Sequence, residues 1–226
     1  MSDFTYFMQG FRHSIINARN QFEHALQIAE SEHYGLASSI LVISAEESMK
    51  AYAILSRALF PFIEFENYNK VFRDHKFKIE SIRGLVAMDA LFQAAMIHIQ
   101  EPKIKALETD SSNMSAIRKQ GIDNMVKWLD DDIQGRSDFD TELIWWKKAQ
   151  SLKERGFYVS DKSATWVTPD SVTKAEFDQT KEYVSRILKR TERFERINFA
   201  SEDFKEFGKS VSKFFKQRKE SRKKQT

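Results

Sequence analysis

The chain has 226 residues, of which only 7 are glycine and 3 are proline, and it contains no cysteine. So few turn-forming residues argue against a β-sandwich or β-barrel and favour long helices. The lack of cysteine excludes disulfides, thiolate metal sites and cysteine nucleophiles, and it fits a reducing compartment, so we expect a cytoplasmic protein with one sizeable domain.

Charge is distributed unevenly along the chain. The formal net charge is +3, but residues 205–226 hold nine lysines or arginines against two glutamates, a charge of +7, so the other 204 residues carry −4. We therefore predict a helical bundle domain over residues 1–200 and a basic amphipathic helix and tail over residues 201–226. The tail either packs its aromatic residues on the bundle or binds RNA, a membrane surface or a partner. No uncharged apolar run reaches 18 residues, so we expect no membrane span and, from the N-terminal residues, no secretory signal.

Apolar residues recur at spacings of three and four through most of the chain, the pattern of amphipathic helices. The pattern predicts helices over residues 3–30, 36–60, 69–101, 112–133, 140–155 and 171–197, with a last one beginning at Ser201. Pro61 ends the second helix because proline disfavours helical geometry in the residue before it. Asp140 is the predicted N-cap of the fifth helix, and Gly156 is predicted to supply the left-handed residue after its end. The predicted fold class is all-α.

Residues 157–169, FYVSDKSATWVTP, are the one candidate for strand. They are rich in β-branched and aromatic residues around a turn-like centre, which predicts an extended loop or a small hairpin. An ordered loop of this length usually has a structural or binding purpose. We therefore expect Phe157, Tyr158 and Trp166 to pack against the bundle.

Charged residues interrupt the apolar stripe of the second predicted helix. Glu47 lies on that stripe, Lys50 follows three residues later, and Glu46 precedes Lys50 by four. At these spacings either acid can pair with the amine. Because a charged side chain is rarely buried unless it is paired, two interpretations stay open: an internal ion pair that fixes helix packing, or a carboxylate and an amine lining a cleft.

His75 lies on the apolar stripe of the next predicted helix, among basic neighbours that include Arg73, Lys76 and Lys78. A lone histidine on such a face is more often a core residue than a catalyst. The inward faces of two successive antiparallel helices can meet, however, and would then bring His75 to Glu47 and Lys50. In that arrangement the imidazole would serve as general acid or base in phosphodiester cleavage, and Lys50 would stabilise the developing charge.

Three segments, in this order, resemble the AbiV-type abortive-infection proteins of bacterial antiphage defence, a branch of the all-helical HEPN superfamily. Residues 17–52 resemble the opening helix pair of that family, with its acid-acid-x-x-lysine element at Glu46, Glu47 and Lys50. Residues 72–78, FRDHKFK, resemble the phenylalanine, histidine and lysine of its next helix. Residues 151–177 resemble its lysine, Gly-Phe-Tyr-Val and Trp-x-x-Pro elements, which here are Lys153, Gly156, Phe157, Tyr158, Val159, Trp166 and Pro169.

The resemblance implies an HEPN-like bundle of long antiparallel helices that forms a homodimer and acts as an antiphage toxin, cleaving or binding RNA without a metal. Many HEPN relatives use an Arg-x4-to-6-His motif, and Arg19 to His24 matches it literally. A chain with this many arginines gives about one such match by chance, and His24 points away from the apolar stripe. The alternative function is a non-enzymatic switch that binds a phage or host protein.

These considerations give two sets of candidate residues. The catalytic candidates are Glu47, Lys50 and His75. The binding candidates are Glu46, Arg73, Lys76, Lys78, Lys153 and Tyr158. We assign no metal, because the one acidic run, Asp130 to Asp132, spreads its side chains around a helix and forms no ligand cage. We also expect no cofactor, since the chain has no glycine-rich phosphate loop.

Overall fold

The computed structural model describes residues 3–59, 85, 89, 120, 137–162 and 165–196. The chain divides into two compact units, one made of residues 1–85 and 137–196 and the other of residues 86–136 and 197–226. Every element below belongs to the first unit. In the second unit the description covers Asp89, which is helical and buried, and Gln120, which is helical and exposed. The helices predicted around residues 69–101, around 112–133 and from Ser201 lie outside the described residues apart from these isolated positions, and the domain boundary at residue 200 stays a prediction.

The first two helices form a hairpin. Helix α1 spans Asp3–Glu30 and α2 spans Tyr34–Leu59, close to the predicted bounds. A connection this short makes the two helices antiparallel neighbours. Within it Glu32 adopts a left-handed φ of 61°, and its N–H closes α1 by donating to the carbonyl of Ala29 at 3.0 Å.

Helix α2 occupies the centre of this unit, in contact with α1 and with both later helices. Many of its buried residues are small, namely Gly35, Ala37, Ser38, Ser39, Ser44, Ala45, Ser48, Ala51 and Ala53. Small side chains let neighbouring backbones approach closely, and the hydroxyls among them need acceptors once buried. The Ser44 hydroxyl, for example, donates to the Ala18 carbonyl of α1 at 2.7 Å.

Helix α3 spans Ser137–Phe157, which corrects two sequence-based predictions. Asp140 lies inside the helix and is not its N-cap. Gly156 is also helical, and no described glycine has a positive φ. The physical reason for Gly156 is space, because a Cβ there would overlap the Gly35 carbonyl oxygen and the Ser39 hydroxyl of α2.

A small hairpin follows α3, as predicted. Strands β1 (Ser160–Lys162) and β2 (Thr165–Val167) are antiparallel, with Asp161 opposite Trp166. The prediction that its aromatic residues pack on the bundle is wrong, because Tyr158 is 66% exposed and Trp166 is 71% exposed. A two-stranded ribbon three residues long has too little surface to bury both, although the chain after it approaches α2 closely, where the Pro169 backbone meets Gly35.

The last helix of this unit, α4, spans Lys174–Arg193, with 3₁₀ turns before it at Pro169–Ser171 and after it at Phe194–Arg196. Thr173 is its N-cap in a capping box with Glu176, so the helix starts three residues later than predicted. Its apolar face is buried, including Phe177, Val184, Ile187 and Leu188. The described residues thus confirm the all-α class, and none of their helices is long and apolar enough to cross a membrane.

Candidate functional site

A buried ion pair joins α2 to α3. Lys153 Nζ lies 2.7 Å from Glu46 Oε1, and the two side chains are only 12% and 11% exposed. Both residues are binding candidates from the sequence, where nothing paired them. The structure brings them together and gives them a packing role, since the pair fixes the last turns of α3 against the middle of α2.

A second ion pair lies within α2 itself. Lys50 Nζ bonds to Glu47 Oε1 one turn away, and the side chains are 23% and 13% exposed. The sequence allowed Lys50 to pair with either adjacent acid, and the structure pairs it with Glu47. Among the described residues, neither side chain pairs with another helix. His75 lies outside the described residues, so its meeting with Glu47 and Lys50 stays a prediction, and the same applies to Arg73, Lys76 and Lys78.

The two adjacent acids therefore have different partners. Consecutive residues of a helix point about 100° apart, so Glu46 faces α3 while Glu47 faces Lys50. The sequence left both acids open as partners of Lys50, and Glu46 instead forms its packing ion pair with Lys153 of α3. The Glu47–Lys50 pair holds no described helices together.

The N-terminal turns of α2 form a tight junction with α3 and the turn before α4. Ser39 Oγ donates to the Lys153 carbonyl at 2.8 Å and contacts the Gly35 carbonyl at 3.1 Å. A Cβ on Gly35 would lie 2.9 Å from the carbonyl carbon of Pro169. Sequence reasoning missed Gly35 and Ser39, and the available signal was the run of small residues at the start of an otherwise apolar helix.

The start of α4 is linked to α3 through Glu176. One carboxylate oxygen bonds to Arg155 Nη2, and the other accepts the Thr173 N–H at 2.9 Å. Partial burial acts to raise the pKa of Glu176, but the Thr173 N–H and the Arg155 guanidinium outweigh it and hold that pKa below its usual value. Residues 151–177 thus contain a series of contacts that join α2, α3 and the start of α4.

The comparisons bear on the same segments. A family model described as AbiV, of HEPN type, matches residues 7–189. The chain belongs to the AbiV family. No curated protein and no solved structure matches it. The matched range contains all three segments that carry the resemblance, and for this AbiV chain the positions Lys153, Gly156 and Pro169 are accounted for by the junction with α2.

The literal Arg-x4-His match of this AbiV chain has a structural explanation. Arg19 Nε lies 2.8 Å from Glu192, and its Nη2 lies 3.1 Å from Glu195, so the guanidinium ties α1 to the end of α4. The hydrogen bond to Glu192 raises the pKa of Arg19 further. His24 is exposed on α1. These contacts favour a bridging role for Arg19.

Tyr158, the remaining binding candidate, lies directly after α3 on the solvent side. Its ring is 6.1 Å from that of Phe157, which is itself exposed. Four of the nine exposed large hydrophobic residues in the described part of the chain lie between residues 157 and 166. Solvent can therefore reach an aromatic surface at this end of the AbiV bundle.

Sequence reasoning also missed an aromatic ladder between α3 and α4. Trp145 stacks on Tyr183 with ring centroids 5.5 Å apart, and the Arg186 guanidinium lies 5.7 Å from the centroid of the Tyr183 ring. Trp146 adjoins Trp145 at 5.4 Å. Both indoles are buried, so the ladder belongs to the packing of α3 on α4.

Proposed function

We propose that this AbiV-family chain is an antiphage abortive-infection effector that acts on RNA, with Glu47, Lys50 and His75 as its catalytic group. The Glu47–Lys50 pair is the observation that supports it. Burying an ion pair costs solvation free energy. A bridging pair such as Glu46–Lys153 offsets that cost by fixing two helices against each other. The Glu47–Lys50 pair is largely buried without bridging described helices, so packing between those helices does not account for it.

Each member of the proposed group has a role that its chemistry suits. His75 takes the proton of the attacking RNA hydroxyl or returns one to the leaving oxygen, because an imidazole titrates near neutral pH. Lys50 stabilises the negative charge that develops on the phosphate, and Glu47 orients the amine. Tyr52, two residues after Lys50, is unsuited as a base because burial raises its pKa to about 12, against an opposing hydrogen bond with Ser56.

The proposed basic neighbours complete an RNA site. Arg73, Lys76 and Lys78 surround His75 in the sequence, and cationic side chains near a scissile bond contact phosphates and position the strand. The proposal also includes a cytoplasmic homodimer, as HEPN resemblance implies. Sedimentation of the purified chain tests the dimer directly, through its mass.

The deciding experiment incubates the purified full chain with total RNA, with and without phage lysate. We expect His75→Ala and Lys50→Met to abolish cleavage per folded molecule. His75→Ala should leave the melting temperature within a few degrees of wild type, since a cleft residue is lost with little packing cost. Lys50→Met should also lower stability, because it leaves the largely buried Glu47 without its cation. Glu46→Gln is the matched control, because it alters the adjacent acid, which binds Lys153. It should lower stability and leave cleavage per folded molecule unchanged. Full cleavage by both His75→Ala and Lys50→Met would show that the site is wrong.

The exposed aromatic residues between 157 and 166 favour a second candidate function, a non-enzymatic switch that recognises a phage or host protein. In that case the Glu47–Lys50 pair is structural. Protection against phage would then fall only as far as the folded population falls in each variant. A plating assay of His75→Ala and Lys50→Met beside their unfolding curves separates the two candidates.

A further inference from the structure

The hairpin presents a surface made of Tyr158, Val159, Asp161 and Trp166, which we name the hairpin surface. Trp166 and Tyr158 are mostly exposed, and Val159 is 60% exposed. Exposed aromatic residues concentrated in one short segment are uncommon on a monomer surface and are enriched where proteins bind partners. This surface is separate from the Glu47–Lys50 pair, which lies in the second half of α2.

Strand register places a carboxylate beside the exposed indole. Asp161 is directly opposite Trp166 in the antiparallel pair. Side chains at opposed positions lie on the same face of a ribbon, with Cβ atoms about 4.5–5.5 Å apart. The carboxylate and the indole are therefore close enough to contact the same ligand group.

The charges around this surface are not balanced. Near the hairpin, three basic side chains are held by acids of the bundle. Those pairs are Lys153–Glu46, Arg155–Glu176 and Lys174–Asp178. Asp161 and Asp170 are exposed, and within the described residues neither has an ion pair. Residues 157–170 hold Asp161 and Asp170 against Lys162, a formal charge of −1, which favours a cation over a phosphate backbone.

We infer that the hairpin surface binds a protein segment through an arginine or lysine side chain that lies over Trp166 and pairs with Asp161. A guanidinium suits the position best, because it stacks on an indole face while its N–H groups bond to a carboxylate. Tyr158 and Val159 contact the apolar residues that flank the cation. The inference deepens the second candidate function by naming the chemistry of the partner, and it is independent of RNA cleavage.

The test uses NMR spectroscopy of the full chain labelled with ¹⁵N and follows the side-chain N–H signals of its four tryptophans. Trp166→Phe identifies the Trp166 signal. The probe is the peptide acetyl-Val-Arg-Val-amide, and the matched probe replaces arginine by citrulline, which has the same shape without the charge. We expect the arginine peptide at millimolar concentration to shift the Trp166 signal, and the citrulline peptide to bind at least about fivefold more weakly.

Two carboxylate variants sharpen the result. Asp161→Asn should weaken the arginine peptide about fivefold, whereas Asp170→Asn, which removes an exposed carboxylate outside the strand pair, should leave binding largely unchanged. Equal affinity for both peptides, no shift of the Trp166 signal, or no effect of Asp161→Asn would overturn the inference. Tighter binding of oligouridine than of the arginine peptide at Trp166 would overturn it in favour of RNA. RNA cleavage measured on Asp161→Asn should be unchanged, which separates this inference from the RNA proposal.

Discussion

Replacing Gly156 by alanine should destabilise the bundle even though alanine is the better helix former. The new Cβ would lie 2.7 Å from the carbonyl carbon of Gly35 and would overlap both the Gly35 carbonyl oxygen and the Ser39 hydroxyl. Carbon atoms pack at about 3.5–4.0 Å, so α2 and α3 must separate by roughly 1 Å. The obstructing atoms include backbone, which cannot swing aside as a flexible side chain would.

The expected magnitude combines three contributions. Overpacking a tight contact costs about 3 kcal/mol at the upper end of its usual range. Losing the hydrogen bond from Ser39 to the Lys153 carbonyl adds about 1 kcal/mol. The higher helix propensity of alanine returns about 1 kcal/mol. The net loss is about 3 kcal/mol, which lowers the melting temperature by about 6–12 °C in a chain of this size.

Circular dichroism during heating and urea titration measures this loss. Gly10→Ala is the matched control, because Gly10 is also helical but its nearest neighbour, Ile54, would be 3.5 Å from the new Cβ, an ordinary contact. We expect Gly10→Ala to raise stability by up to about 1 kcal/mol. A Gly156→Ala variant as stable as wild type, or shifted in the same direction as Gly10→Ala, would refute the assigned close approach of α3 to α2.

Two further predictions concern ion pairs. Lys153→Met should lower the free energy of unfolding by about 3–5 kcal/mol, because it removes the cation that faces buried Glu46. Adding Glu46→Leu should recover part of that loss. Urea unfolding of the single and double variants measures both effects, and additive effects in the double variant would contradict the pairing. Glu176 has a lowered pKa when folded, so its ionised form adds stability above its unfolded pKa, and this contribution is lost as pH falls through the lower folded pKa. The stability difference between wild type and Glu176→Gln should therefore be present at pH 7 and disappear in the acid range below about 4.5, and a pH-independent difference would contradict the assignment.

The helical hairpin and the restriction of Lys50 to two acidic partners were predictable because both depend on local spacing. The apolar stripe of α1 is continuous, and its residues Phe11, Ile15 and Ala18 are fully buried as that stripe requires. Residues three or four apart on a helix are neighbours whatever the rest of the fold does, so α2 alone restricted the helical partner of Lys50 to Glu46 or Glu47.

The rest depended on contacts between distant parts of the chain. Glu46 and Lys153 are 107 residues apart, and nothing in local spacing selects that partner over another lysine. A glycine near the end of an apolar pattern can adopt a left-handed conformation after a helix or allow two helices to approach closely. At Gly156 the position of α2 shows that the second role applies. Trp166 was misassigned because a large aromatic residue is buried in most proteins but is also the residue preferred at interfaces.

The composition of α2 has a consequence for synthesis on the ribosome. Residues 60–136 separate α2 from α3, so at about 5–20 residues per second the face of α2 that later receives α3 waits roughly 4–15 s for its partner. The hairpin of α1 and α2 involves only nearby residues and can form in that interval. Gly35 and Ser39, which contact α3 in the folded bundle, expose little apolar area, so this part of the waiting helix offers chaperones and other nascent chains a poor hydrophobic target.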